Sequence, residues 1–179
     1  GKCLEAVFNQ ETLYRFEVIV IDSGSSDRTT EIARKYSPVR LIEIPPGDFG
    51  HGRTRNLGAS MSQGRHVVFL NADAVPVDRS WLDSLILPLS KDQNLAGVYS
   101  RHLPQEGCRL YMVRDLLKSM PATPMTRSKT KTLDFMIFST VSCALTRETW
   151  EKYPFDNDIL IAEDQRWAAG VLDQGLNIL

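Results

Sequence analysis

The stretch FEVIVIDSGSSDRTTEIARKYSPVRLIEI, residues 16–44, decides the fold class of this chain. Its first apolar run, at 16–22, predicts a buried strand, and the amphipathic segment at 25–36 predicts a helix. A second apolar run at 39–44 predicts another strand. A strand, a helix and a strand at this spacing indicate a βαβ unit, in which the two strands run parallel.

The same alternation continues along the chain and predicts a single domain covering all 179 residues. We expect an α/β fold, in which a mainly parallel, Rossmann-like sheet is flanked by helices and binds ligands beyond the carboxyl ends of its strands. The polar stretch at 121–132 predicts a loop. The further predicted strands are 65–70, 95–104 and the start of 138–150, and the further predicted helices are 53–62, 80–89, 106–120 and 162–175.

The composition excludes several classes of partner. A net charge of −1 with 24% charged residues gives no general attraction to nucleic acid or to an anionic membrane surface. Apolar runs reach only four or five residues, far below the ~20 that span a bilayer. The three cysteines, Cys3, Cys108 and Cys143, lack the paired spacing of metal ligands and predict reduced thiols in a cytoplasmic protein.

Asp22, Ser23 and Gly24 follow the first predicted strand and precede a helix. The backbone N–H groups of such a turn can face an anion or a sugar edge, and Asp22 can accept hydrogen bonds from a base or a ribose hydroxyl. An Asp at this position can equally well cap its own turn. Local sequence leaves both interpretations open.

The loop and helix start PPGDFGHGRTRNLG, residues 45–58, carries Arg53 and Arg55 close to a helix N-terminus. Cations do not stabilise that end of a helix, so guanidinium groups there favour an anionic ligand such as a phosphate. The alternative is a pair of surface arginines bound to Glu43 or Asp48. His51 is interpreted as a hydrogen-bonding loop residue rather than a metal ligand.

The stretch VVFLNADAVP, residues 67–76, ends a buried strand with Asn71 and Asp73. Two acids at this spacing commonly hold Mg²⁺ or Mn²⁺, but here only Asp73 is a carboxylate. Two unit charges at ~4 Å interact by about 4 kcal/mol at an effective dielectric constant near 20. Contact between Asp73 and a nucleotide diphosphate therefore requires a divalent ion between them.

Glu163 and Asp164 open the last predicted helix, in AEDQRW at 162–167. Acidic residues are common at helix N-termini, so this pair has an ordinary structural explanation. As a functional group, a carboxylate here could take a proton from an attacking hydroxyl.

Taken together, these motifs resemble the family 2 glycosyltransferases of the GT-A fold. EVIVIDSGSSDRT resembles the nucleotide-binding strand, turn and helix of that family, RTRNLGAS its Arg-Asn-x-Gly helix start, and VVFLNADAVP its Asp-x-Asp strand. STVSCALTRETW followed by IAEDQRWAAGVLDQG resembles its acceptor-side strand and Glu-Asp helix. FGHGRTRNLG, NADAVP, WLDSLILPL and AGVYSRHLP together resemble the rhamnosyltransferase-like branch.

The resemblance implies an enzyme that transfers a sugar, with rhamnose one candidate, from a dTDP- or UDP-sugar donor with inversion at the anomeric carbon. The acceptor would be a saccharide or a lipid-linked saccharide in cell-surface polysaccharide synthesis. It also implies a cytoplasmic protein with at most peripheral association at the inner face of the membrane. Residues 1–100 would form the nucleotide-sugar-binding half and residues 101–179 the acceptor-side half.

The resemblance also implies roles for single residues. Asp164 would be the general base with Glu163 beside it, and Asp73 would ligate a Mn²⁺ or Mg²⁺ ion. The base and ribose would be bound by Asp22 and Arg55. The predicted donor-binding set is Asp22, Ser23, Gly24, Arg53, Arg55, Asn71 and Asp73.

Three departures from the family pattern bear on these expectations. Ser23 and Asn71 stand where many relatives carry an acid, and the family's opening strand and its closing segment lie outside 1–179. Ser23 bears on the contacts with the base, whereas Asn71 and the segments outside 1–179 raise the alternative of a non-catalytic sugar-nucleotide-binding module, against which the intact AEDQRW argues. A phosphatase with Asp22 as nucleophile is disfavoured, because Gly24 occupies the place of its second acid.

Overall fold

The structure, a computed structural model, describes residues 1–120, 122–129 and 138–179 and confirms the α/β fold. Most of the predicted helices and strands are present, with ends shifted by a few residues. The strands are β1 Val18–Asp22, β2 Val39–Glu43, β3 His66–Leu70, β4 Leu95–Tyr99, β5 Ser142–Thr146 and β6 Asn177–Ile178. The helices are α1 Lys2–Phe8, α2 Thr29–Arg34, α3 His51–Met61, α4 Trp81–Lys91, α5 Leu110–Ser119, α6 Arg147–Lys152 and α7 Glu163–Asp173.

The strands form two sheets. β1 and β2 pair in parallel, with Val18 opposite Val39 and Asp22 opposite Glu43, as the βαβ pattern predicts. The second sheet has the order β3-β5-β4-β6, in which β4 and β6 are parallel. β5 lies antiparallel between β3 and β4, so this sheet is mixed. Antiparallel neighbours such as β4 and β5 need no crossover connection, unlike a parallel pair.

The core lies around the second sheet. Four of the five residues of β5 are buried, and the strand is covered by α7 on one face and by α4 on the other. No residue of β1 or β2 belongs to either of the described core clusters. The larger cluster consists of Ala59, Val67, Phe69, Ala96, Phe138, Cys143, Leu145, Phe155, Trp167, Ala168, Val171, Leu172 and Ile178.

Within the predicted loop at 121–132, one described residue pairs with the last strand. Arg127 is buried and exchanges two hydrogen bonds with Ile178, at N–O distances of 2.7 and 3.0 Å. Residues 121 and 130–132 of this predicted loop lie outside the described part of the chain. Within the described ranges, no helix has the length and apolar composition required to cross a bilayer.

Candidate active site

The carboxyl end of β3 presents Asn71 and Asp73 in a tight turn. The Asn71 backbone N–H donates to the Val141 carbonyl at 2.9 Å, and its own carbonyl accepts from the Ala74 N–H at 3.0 Å. Asp73 is exposed, and its backbone carbonyl accepts a hydrogen bond from the Gln105 side chain at 3.1 Å. The turn therefore leaves the Asp73 carboxylate accessible to a ligand.

Arg55 connects this strand end to the start of α7. Its Nη1 donates to Glu163 Oε1 at 2.7 Å and to the His51 carbonyl at 3.0 Å. Its Nη2 donates to Asn71 Oδ1 at 3.3 Å. The side chains of Arg55 and Glu163 are only 12% and 7% exposed, so this is a buried ion pair. Of the residues predicted from the sequence, Arg55, Asn71 and Glu163 are thus in direct contact.

The first turn of α7 holds the two acids in different surroundings. Glu163 is buried and also accepts a hydrogen bond from Thr140 Oγ1 at 3.4 Å. Asp164 is half-buried, and its Oδ1 accepts only the N–H of the next residue, at 2.8 Å, among the contacts of the described residues. Asp164 therefore keeps hydrogen-bonding capacity for a ligand, whereas Glu163 is engaged within the protein.

Asp22 caps its own turn, which is one of the two interpretations the sequence left open. Its Oδ2 accepts the N–H groups of Gly24 at 3.0 Å and of Ser25 at 2.9 Å. Hydrogen bonding by the Ser25 side chain is the main cause that holds the pKa of Asp22 below its usual value, against the opposing effect of burial. Gly24 has a φ of +95°, and a Cβ there would lie 2.7 Å from Pro46 Cγ, so the turn requires glycine.

The Asp22, Ser23 and Gly24 turn and the Arg55 network form separate hydrogen-bonded groups among the described residues. No hydrogen bond or ion pair between described residues joins the two groups. Arg53 is exposed on the first turn of α3. The suggested alternative partner Glu43 pairs instead with Arg34.

A cavity of about 1330 Å³ opens beside this network, between β1 and β3. Its lining includes His51, Arg55, Asn71 and Asp73. The remaining walls are formed by β1, β3 and neighbouring residues of α1, α3 and α4. Asp22, Arg53 and Asp164 are not among the residues that line this cavity.

Asn56 and Gly52 support the site structurally and were not predicted from the sequence. Asn56 donates to the Phe155 carbonyl at 2.7 Å and to Asn157 Oδ1 at 2.9 Å, while its own Oδ1 accepts from Trp150 Nε1 at 2.9 Å. Gly52 allows α3 to approach the same loop closely. Both residues lie in the motif HGRTRNLG, which is the sequence feature that could have indicated them. Their partners lie about a hundred residues away along the chain, so the contacts themselves could not be predicted.

His102 follows β4 and was also not predicted. Its Nε2 is buried and has no hydrogen-bond partner among the residues that the structure describes. Burial lowers the pKa of His102, and the charge of Asp164 opposes that shift. His102 is therefore within electrostatic reach of the acid predicted to be the base.

The described residues fit a divalent ion that is held by one carboxylate, that of Asp73. The described residues contain no group of three or more His, Cys, Asp or Glu that could hold a metal. Asn71 Oδ1 is already engaged with Arg55, which leaves Asp73 as the protein ligand at this strand end. Mg²⁺ and Mn²⁺ sites commonly use one or two carboxylates and complete their shell with waters and substrate phosphates. Asp73 fits such a site.

The sequence profile of glycosyl transferase family 2 matches residues 1–152. The chain belongs to this family. It is 29% identical over 181 residues to the O-antigen chain rhamnosyltransferase RfbN of Salmonella typhimurium, covering 98% of this chain and 57% of that protein. It is 31% identical over 177 residues to the O-antigen chain rhamnosyltransferase WbaN of Salmonella anatum, covering 96% and 56%. This family 2 chain thus spans just over half the length of these curated relatives.

Solved structures of glycosyltransferases share the fold. The structure of TarS residues 1–349 from S. aureus in complex with UDP matches with a TM-score of 0.73 at 16% identity, covering 99% of this chain and 53% of that one. The mannosyltransferase PcManGT from Pyrobaculum calidifontis, in complex with GDP-Man and Mn²⁺, matches with a TM-score of 0.68 at 22% identity, covering 98% and 48%. These matches confirm the predicted GT-A fold.

Proposed function

We propose that this chain carries the active site of a metal-dependent, inverting glycosyltransferase. The enzyme transfers a sugar from a nucleoside-diphosphate donor to a saccharide or lipid-linked acceptor in cell-surface polysaccharide synthesis. The observation that carries the proposal is the contact of Arg55 with both Asn71 and Glu163, which supports one site that includes Asp73 and Asp164. The rhamnosyltransferase relatives favour dTDP-rhamnose as the donor, with a UDP-sugar as the second candidate.

In this proposal, residues 1–100 bind the donor. The turn of Asp22, Ser23 and Gly24 would meet the base or ribose beyond the end of β1. Arg53, which is exposed at the N-terminus of α3, would meet the diphosphate, where guanidinium and helix dipole act in the same direction. Residues 101–179 would bind the acceptor. We propose a cytoplasmic enzyme at the inner face of the membrane, where a lipid-linked acceptor is reached by peripheral association.

Asp164 acts as the general base in this proposal. It takes the proton of the acceptor hydroxyl as that oxygen forms a bond to the anomeric carbon. The bond from the anomeric carbon to the diphosphate breaks on the opposite face, its electron pair leaves with the nucleoside diphosphate, and the configuration inverts. Glu163 is neutralised by Arg55, so Asp164 is the carboxylate that receives the proton.

Asp73 would hold the divalent ion through its exposed carboxylate. When bound, a Mn²⁺ or Mg²⁺ ion supplies positive charge that stabilises the leaving diphosphate. Asn71 adds no second negative charge beside it. We therefore expect the ion to bind together with the nucleotide rather than before it.

Thermal unfolding of the full-length protein with UDP, dTDP and GDP tests the proposal. With Mn²⁺ present, the preferred nucleotide at about 100 times its Kd is expected to raise Tm by about 5–10 °C. EDTA or Asp73→Ala should remove this shift. The control is Glu151→Ala, which changes an exposed acid on α6. This helix follows Thr146, which pairs with His66 at the start of β3, so it lies away from the strand end that carries Asp73. This substitution should leave the shift intact.

Each other outcome overturns part of the proposal. An equal shift in EDTA would refute the metal role of Asp73. No shift with any of the three nucleotides would refute the donor class. A full shift without sugar transfer to saccharide acceptors by the full-length protein would favour the non-catalytic binding module.

A further inference from the structure

Arg55 has three acceptors inside the protein, which leaves its guanidinium little capacity for a nucleotide. The Glu163 carboxylate, the Asn71 amide oxygen and the His51 carbonyl take its hydrogen bonds at 2.7, 3.3 and 3.0 Å. At 12% exposure, the side chain is largely covered. This arrangement differs from the base- or ribose-binding role that the family resemblance implies for Arg55.

Besides Arg55, two further side-chain contacts hold the start of α7: Thr140 Oγ1 donates to Glu163, and Gln165 Nε2 donates to the Phe138 carbonyl. Ala162, directly before the helix, has φ 64° and ψ 32°, a left-handed conformation that is unfavourable for a residue with a Cβ. No side chain caps the helix. Leu160 and Ile161 are 78% and 84% exposed, so packing does not anchor the segment that leads into it. Among these contacts, the buried pair of Arg55 and Glu163 is the one that links the helix start to α3 and, through Asn71, to the end of β3.

The charges at the site agree with this role. Glu163 and Asp164 are adjacent acids, and the guanidinium of Arg55 compensates the one that is buried. Asn71 offers Arg55 a neutral acceptor at the strand end. An Asp at residue 71 would compete with Glu163 for the same guanidinium, because it would add a second carboxylate within hydrogen-bond reach.

We infer that Arg55 is a positioning residue, which through Glu163 fixes Asp164 relative to the strand end that carries Asp73. It does so by bridging α3, β3 and α7 rather than by binding the donor. Asn71 belongs to the same bridge and keeps the guanidinium available to Glu163. The inference rests on the proposed function, since it concerns the placement of the proposed base.

The test separates turnover from binding in the full-length protein. Arg55→Lys keeps the charge but loses the planar fork that reaches Glu163 and Asn71 together. We expect kcat for transfer from dTDP-rhamnose, or for its hydrolysis, to fall by about tenfold to a hundredfold. The Kd of dTDP with Mn²⁺, measured by calorimetry, should change by less than about twofold, because uniform binding is not affected.

Two further variants complete the design. Arg55→Met/Glu163→Gln removes both charges, so no unpaired carboxylate is left buried, and it should show the same loss of kcat with unchanged Kd. Arg79→Lys alters an exposed ion pair with the same N–O distance of 2.7 Å, to Glu11, and should change neither quantity.

The outcomes distinguish the inference from the proposed function. A Kd that weakens in parallel with kcat/KM in Arg55→Lys would make Arg55 a donor-binding residue and overturn the inference. Unchanged kcat in that variant would overturn it as well. If the wild-type protein neither binds dTDP nor cleaves dTDP-rhamnose while the UDP-sugar is also inert, the proposed function itself fails.

Discussion

Asp164 and its neighbour Glu163 differ in burial and in hydrogen-bond partners. Glu163 is buried and paired with Arg55, while the carboxylate of Asp164 is held only by the N–H of the following residue among the described contacts. A general base needs an accessible lone pair directed at the proton it removes. The different surroundings of the two adjacent acids therefore support the proposal that Asp164 rather than Glu163 is the base.

Asp164→Asn should retain the binding of nucleoside diphosphate and Mn²⁺ and lose about 10²- to 10⁴-fold in transfer rate, since the amide cannot accept the proton. Initial rates of sugar transfer and calorimetric Kd values measure the two effects. Asp173→Asn is the matched control, because Asp173 is an exposed acid at the far end of the same helix. Transfer at the wild-type rate in Asp164→Asn would refute the assignment.

The sequence predicted Arg55, Asn71 and Glu163 as site residues but not the contacts between them. The predicted alternative partners of the arginines were Glu43 and Asp48, which are near in sequence. The actual partner of Arg55 lies 108 residues further along the chain. Spacing along a helix or strand reports on local neighbours, so a contact between α3 and α7 could not be predicted from it.

The helix α3 connects the site to the core through a close approach at its first turn. A Cβ at Gly52 would lie 2.2 Å from the Asp156 carbonyl oxygen, and Asn56, one turn later, bonds to the same loop. The loop backbone thus packs directly against the helix that carries Arg55. Any separation of the two should also displace the guanidinium.

Gly52→Ala should lower the free energy of unfolding by about 1–3 kcal/mol, because the added methyl group forces the backbone of the loop away. Gly170→Ala provides the opposite case, since nothing lies within 4 Å of a Cβ at that exposed position of α7. It should raise stability by about 0.5–1 kcal/mol. Urea unfolding midpoints measure both, and equal effects of the two substitutions would show that the close approach is absent.

The sequence predicted where most strands and helices lie but not how all of the strands pair. The alternation of β1, α2 and β2 determines a parallel pair, because a short crossover leaves no other choice. β5 carries no such local constraint. Its four buried residues fit a central strand between β3 and β4, but burial does not determine the direction in which a strand runs.

Within the described residues, the two sheets differ in how deeply their strands are buried. β3, β4 and β5 contribute to the two core clusters, whereas β1 and β2 form a separate two-stranded sheet whose residues are mostly half-buried or exposed. A two-stranded sheet is only marginally stable by itself. The proposed donor site uses the end of β1 and the end of β3, so it draws on both sheets.

Hydrogen exchange should reveal this difference. We expect the backbone amides of β1 and β2 to exchange faster than those of β4 and β5, because local opening of the smaller sheet does not require loss of the core. Mass spectrometry of peptides covering Val18–Asp22 and Ser142–Thr146 measures both rates in one experiment. Equal protection of the two peptides would mean that the sheets open only together, and the donor site would then be as rigid as the core that supports Asp164.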